Sequence, residues 1–219
     1  MKRISLSAMV LMIMVLFSSC VKEIVRGNGD TESETRSVSN FSSVSLEGSG
    51  KVTITQGASF AVVVTDDENL LPYIETNVSG DELKIRYKRD TWIKHGNLEV
   101  AITMPSLNGI ELSGSGNYII NGHFVNNGTF RSRMSGSGDV RIDDFDTKHA
   151  DFDVSGSGKI SATGLWAETA SVHISGSGEA ELSVSDELDA HISGSGTIYY
   201  HGTPAVSTHV SGSGKVVKR

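Results

Sequence analysis

The chain has 219 residues, with 26 acidic against 19 basic side chains and a net charge of -7. Such a surface repels nucleic acid and anionic lipid, so neither polyanion is expected as a partner. A single cysteine excludes a disulfide framework or a cysteine zinc cluster within one chain.

Residues 1–19 read as a signal peptide of the lipoprotein type. Lys2 and Arg3 supply the positive start, Ile4 to Phe17 the apolar run, and Ser18 and Ser19 the small residues ahead of Cys20. The apolar run is too short to span a bilayer. The arrangement resembles a bacterial lipoprotein signal, in which cleavage exposes the cysteine as a lipid-bearing amino terminus. Cys20 is therefore the expected lipidation site. Removing residues 1–19 leaves 17 basic against 26 acidic side chains, so membrane attachment is expected through the acyl chains at Cys20.

Residues 20–36 hold that cysteine and a polar stretch with Gly27, Gly29, Asp30, Glu32 and Glu34, which reads as a tether. Residues 37–219 show no further composition shift and suit one domain. Its first part is strand-rich: Val52 to Ile54, Ala61 to Val64, Leu83 to Tyr87 and Leu98 to Ile102. One short helix is expected over Glu68 to Ile74, with Asp66 or Asp67 at its amino end and Pro72 tolerated within. Val78 to Glu82 reads as a turn and Arg89 to Gly96, with Trp92, as a longer loop. This half is expected to form the first wide coils.

From residue 113 the motif Ser-Gly-Ser-Gly recurs, beginning at Ser113, Ser135, Ser155, Ser175, Ser193 and Ser211 with gaps of 22, 20, 20, 18 and 18 residues. A period near 20 marks a solenoid in which each repeat is one coil. Apolar residues precede the motif (Leu112, Met134, Val154, Ile174, Ile192, Val210) and follow it (Tyr118, Val140, Ile160, Ala180, Ile198, Val216) at strand spacing. Connections this short leave no room for crossover helices. The fold class is therefore all-β, a parallel β-helix (solenoid) with coils of about 18–22 residues and one short helix in its amino-terminal half. Return loops are expected at Asn121-Gly122, Asn126-Asn127-Gly128, Asp143-Asp144, Thr163-Gly164 and His201-Gly202. Lys215, Lys218 and Arg219 would blunt the last edge.

Two roles for the motif glycines stand open. Unbroken alternation would point Gly156 and Gly158 inward; otherwise the motif is a corner needing positive φ, and Gly114, Gly136, Gly156, Gly176, Gly194 and Gly212 would share that role. The outward residues supply a test of register. Two places before each motif stand Glu111, Arg133, Asp153, His173, His191 and His209; just after it stand Asn117, Asp139, Lys159, Glu179, Thr197 and Lys215. Opposite charges fall beside each other, as neighbouring strands prefer.

The order of an export signal, Gly27-Asn28-Gly29, Phe41-Ser42-Ser43-Val44, Gly48-Ser49-Gly50, Val52 to Gly57, Leu70-Leu71-Pro72, Leu83-Lys84-Ile85 and the reiterated Ser-Gly-Ser-Gly resembles the bacterial family called putative auto-transporter adhesin, head GIN domain. The resemblance implies a right-handed parallel β-helix in a cell-envelope lipoprotein of the Bacteroidetes type, at the outer membrane. It implies no catalytic residues and no cofactor.

The candidate chemistry is sparse. His173, His191 and His209 would stack on one outer face and are the candidates for a metal, but ligands on one flat face cannot surround an ion, so a solvated ladder is the simpler reading. Asp143, Asp144, Asp146, Asp151 and Asp153 could hold calcium or furnish a carboxylate pair for sugar cleavage, yet Asp151 and Asp153 align with Arg131 and Arg133 and read as ion pairs. The Ser-Gly-Ser-Gly units lack the lysine and helix of a phosphate loop, and no helix follows a Gly-x-Ser-x-Gly as in a serine hydrolase. Trp92 and Trp166 are candidates for stacking on a glycan, with packing as the alternative. The expected function is a lipid-anchored, non-enzymatic surface scaffold or adhesion-type module whose partner is a glycan or a host or cell-surface protein. The alternative is a polysaccharide-binding or polysaccharide-processing β-helix.

Overall fold

A computed structural model describes residues 23–219. The signal peptide and Cys20 lie outside the described residues. The chain runs through β1 (Glu23–Arg26), β2 (Thr31–Thr35), β3 (Ser43–Gly48), β4 (Lys51–Gln56) and β5 (Ala61–Asp67) to a 3₁₀ helix, Glu68–Tyr73. It continues through β6 (Ile74–Ser79), β7 (Glu82–Tyr87), β8 (Thr91–Lys94) and β9 (Glu99–Met104). The regular array follows as β10 (Gly109–Gly114), β11 (Asn117–Asn121), β12 (Phe124–Gly136), β13 (Asp139–Ile142), β14 (Phe145–Gly156), β15 (Lys159–Gly176), β16 (Glu179–Gly194), β17 (Thr197–His201), β18 (Ala205–Gly212) and β19 (Lys215–Lys218).

These strands wind into a β-solenoid of about six turns. One wall runs β7, β3, β10, β12, β14, β15, β16, β18, all parallel. A second runs β9, β4, β11, β13, β15, β16, β17, β19, also parallel. The longest strands bend from one wall into the next, and the register shifts between Asn126 and Thr129 and between Ala162 and Trp166 mark two of the bends. Thr163-Gly164 is thus a bend inside β15, where a polar return loop was expected.

The core fills with the residues that alternation assigned inward, among them Leu112, Val154, Ile174, Ile192 and Ile160. Phe130 packs on Phe145 with centroids 4.4 Å apart and edge-on to Phe152 at 6.3 Å. Tyr118 is buried too, and its hydroxyl donates to the Val44 carbonyl at 3.1 Å, which satisfies the one polar atom it carries inside.

Both proposed roles of glycine are present, divided between the two glycines of each motif. The first is a corner: φ is +136° at Gly114, +125° at Gly156 and +121° at Gly212. A Cβ on Gly156 would overlap the Gly136 carbonyl of the preceding coil. The second faces the core, where a Cβ on Gly178 would sit 2.6 Å from Val154 Cγ1. Unbroken alternation fails at the first glycine because the chain turns there.

The amino-terminal part departs further from expectation. The coil formed by β3 and β4 comes first in sequence but second in space, since β7 and β9 lie outside it. Antiparallel β6 covers β7, and antiparallel β5 covers β9, with β2 antiparallel on β5. Residues 57–81, expected as wide coils, are therefore largely a cap. The 3₁₀ helix within it places Leu70 and Leu71 in the interior.

Residues 23–36 carry β1 and β2 in place of the expected tether. Main-chain pairing of β1 with β8 and of β2 with β5 holds them, and polar side chains fix the junction: Asp67 accepts from the Gly29 amide at 3.1 Å, and Asn69 donates to the Arg26 carbonyl at 2.8 Å. Asp66, almost fully buried, accepts from the Asn97 amide at 2.8 Å and from the Tyr87 hydroxyl. At the other end β18 and β19 pair on one side only among the described residues, and Val206 and Val210 are exposed. Arg219 ties that end down, lying 3.6 Å from the Tyr199 ring and 2.9 Å from Glu181.

The glycine arrangement separates backbone strain from coil-to-coil collision. At Gly48 φ is +117° but nothing lies near an added Cβ, whereas Gly156 has both problems. Gly48→Ala should cost about 1–3 kcal/mol from strain alone. Gly156→Ala should cost more, because the preceding coil's backbone must move, and urea unfolding of the two variants side by side measures the difference.

Candidate functional site

The outward ladders hold the register that the sequence indicated. Glu111 pairs with Arg133, Arg133 with Asp153, Asp153 with His173, His173 with His191 and His191 with His209. The serines of the motif, from Ser113 and Ser135 through Ser155, Ser175, Ser193 and Ser211, form a second column beside it.

Between these columns runs a shallow groove of about 300 Å³, lined by His173, His191, His209 and Ser155, Ser175, Ser193 among others. The His173 and His191 rings are 4.6 Å apart and parallel to within 2°, and His209 follows at 5.7 Å. Parallel stacked rings direct their nitrogens side by side, so their lone pairs do not converge on one ion. Among the described residues no group of three or more His, Cys, Asp or Glu is placed to hold a metal. His191 Nε2 lies 3.1 Å from Asp189 instead. The hydrogen bond from His191 holds the Asp189 carboxyl below the usual aspartate range against a smaller opposing effect of burial.

The acidic run is fully engaged. Asp151 lies 3.4 Å from Arg131, Asp153 3.7 Å from Arg133 and Asp143 2.7 Å from Arg141. Asp144 and Asp146 flank His123 at 2.8 and 3.7 Å. The bond to Asp144 raises the His123 imidazole above its ordinary value. Each of these carboxylates therefore has a cationic or imidazole neighbour.

Trp92 and Trp166 are both exposed, at 62% and 55%, which removes core packing as their role. The fold does not place them in one row. Trp92 is on β8, beside the Gly48-Ser49 corner and Arg86. Trp166 lies in the bend of β15 between Asp146 and Ser183, with Val125 one coil further on.

Sequence reasoning missed two features. One is a polar groove of about 540 Å³ whose lining includes Ser43, Asp81, Asn108, Glu111, Asn126 and Arg131. It crosses three coils and the amino-terminal turn, so no local pattern announces it. The other is the ribbon of β1 and β8, which pairs Ile24 with Trp92 and Arg26 with Lys94. The alternation in Thr91-Trp92-Ile93-Lys94 was a usable signal for it.

Residues 40–204 match the family described as "Putative auto-transporter adhesin, head GIN domain". Three solved structures share the fold. A putative adhesin from Bacteroides fragilis is 19% identical, with a TM-score of 0.74 over 89% of this chain and 100% of that one. A putative adhesin from Parabacteroides merdae is 22% identical, with a TM-score of 0.56 over 90% and 99%. A protein from Parabacteroides distasonis described as a putative lipid binding protein is 24% identical, with a TM-score of 0.58 over 90% and 100%. No curated protein matches the chain.

The histidine column yields a prediction about protonation. A depressed Asp189 pKa contributes stability above the unfolded aspartate value, and that contribution is lost as pH falls through the folded one. His191→Ala should raise the Asp189 titration midpoint toward the ordinary value, read by carboxyl-carbon NMR across an acid titration.

Proposed function

Since the chain belongs to the putative auto-transporter adhesin, head GIN domain, family, we propose that it is a lipid-anchored, non-enzymatic envelope protein. Its walls serve as a scaffold or an adhesion-type binding surface for a glycan or a protein of a host or neighbouring cell. The observation that carries this reading is the repetition of the outer surface. Ser, Thr and paired charges recur coil after coil, and the grooves are shallow. Catalysis calls for a few groups with perturbed and complementary protonation meeting at one point, whereas weak contacts repeated along a wall add through avidity. The anchor at Cys20 rests on the sequence, a positively charged start, an apolar run and small residues before the cysteine, and the place at the outer membrane rests on the family. Among the described residues no helix is long and apolar enough to cross a membrane.

A second reading, a polysaccharide-binding protein, is favoured by one observation. Trp166 stands exposed in register with Asp146, which in turn neighbours His123. An aromatic face beside a carboxylate suits a sugar ring, whose C–H face stacks while its hydroxyls donate.

Two experiments test these readings. Growth with labelled palmitate should label the wild-type chain and leave Cys20→Ser unlabelled; an unlabelled wild type sinks the anchor. The purified protein on glycan and matrix-protein arrays should bind a restricted set of either class. Loss of a glycan signal in Trp166→Ala would select the second reading, and silence on both arrays would sink the adhesion module.

A further inference from the structure

The two-stranded ribbon of β1 and β8 is separate from the solenoid walls and is paired with neither of them. Ile24 lies opposite Trp92, and Arg26 opposite Lys94. Residues two apart on a strand share a face, so these four form one face, apolar at one end and cationic at the other. Ile24 is 54% exposed and Trp92 62%, although both are large and apolar. A soluble protein gains nothing by placing two such side chains together in water.

Charge deepens the contrast. The chain as a whole is acidic, at -7, yet Arg89 in the turn before β8 joins Arg26 and Lys94 at this ribbon, and all three are exposed, while Lys88 turns to the other face, over the Tyr73 ring at 5.5 Å. Asp90, in the same turn and two places before Trp92, is exposed too. Glu23 alternates to the other face, where its carboxylate accepts a hydrogen bond from the Tyr73 hydroxyl at 3.2 Å. Trp92 and the cations around it thus depart from the acidic balance of the chain.

The place of the ribbon in the chain identifies its occupant. β1 begins at Glu23, three positions after Cys20, and three residues reach at most about 10 Å. A lipid on Cys20 would therefore enter the bilayer beside this face. The geometry points to the β1–β8 ribbon as a membrane foot: Trp92 and Ile24 seat at the headgroup level, while Arg26, Lys94 and Arg89 reach anionic phosphates. Tryptophan favours that depth because its ring is apolar and its N–H is polar. Basic side chains extend apolar stems along the surface and keep their charge at the phosphates. The foot would also fix the orientation of the solenoid, which a flexible tether cannot do.

This inference rests on the anchor proposed at Cys20, and its test separates the two. Lipidated full-length protein with Trp166→Phe, leaving Trp92 as the lone tryptophan, is reconstituted into vesicles of phosphatidylcholine and phosphatidylglycerol. Trp92 emission should shift to the blue, lose intensity when the acyl chains are brominated, and resist acrylamide. Arg26→Glu with Lys94→Glu should reduce that quenching while the protein stays vesicle-bound through its lipid. Vesicle-bound protein whose Trp92 ignores brominated lipid and stays open to acrylamide overturns the foot and leaves the anchor standing. Protein without lipid, by mass, overturns the anchor; if its Trp92 still quenches on anionic vesicles the foot stands alone, and if it does not, both fail.

Discussion

The constraint on which this molecule depends is the stacking of one glycine corner on the next at strand spacing. The carbonyl of the first glycine in each motif accepts a hydrogen bond from the serine amide that follows the corner in the next coil, as in Ser177 to Gly156 at 2.9 Å and Ser195 to Gly176 at 2.8 Å. The second glycine does likewise, with Glu179 to Gly158 at 3.0 Å. The ladder of main-chain bonds therefore continues around the bend, which leaves no buried polar group unpaired where a sheet would ordinarily end. Such continuity demands that the corner carry no Cβ, and that requirement writes the motif into the sequence.

Once the corners are fixed, the inside and the outside obey different rules. Inside, each column must fill a constant cross-section, and neighbouring coils exchange volume: the second glycine makes space for Met134, Val154 or Ile174 of the coil beside it. Outside, each column is free to vary, and it varies toward local neutrality, with lysine over glutamate and arginine over aspartate. Exposed pairs of that kind contribute little to stability, roughly 0–1 kcal/mol each. They set the texture of the wall more than its strength, and that texture is what any partner of the walls meets.

The regular array was legible because its physics is local and repeated. The apolar positions around each motif and the outward pairs from Glu111 to His209 follow from spacing alone. Corner and inward glycine could not be told apart, since both tolerate the same residue and only φ distinguishes them. The cap was illegible for a different reason. β5 reads as an ordinary strand and β6 does not read as a strand at all, and their antiparallel pairing and the displacement of β7 and β9 outside β3 and β4 depend on partners beyond any local pattern. The supposed tether failed likewise, because Asp67 and Asn69 bind it from about 40 residues away. For the site, the sequence marked Trp92 and Trp166 but could not tell that they stand apart, nor that Ile24 stands opposite Trp92.

The displaced coil has a consequence for the order in which the molecule can be assembled. Residues 43–56 leave the ribosome before either of the segments that will flank them, and residues 82–104 must double back to the outer side before residues 109–121 settle on the inner one. The beginning of the chain thus closes like a knot of long-range pairings, slow to form, while every later coil is laid onto a finished template. Biogenesis should accordingly have one hesitant step, at the start, and proceed afterward by accretion in a single direction.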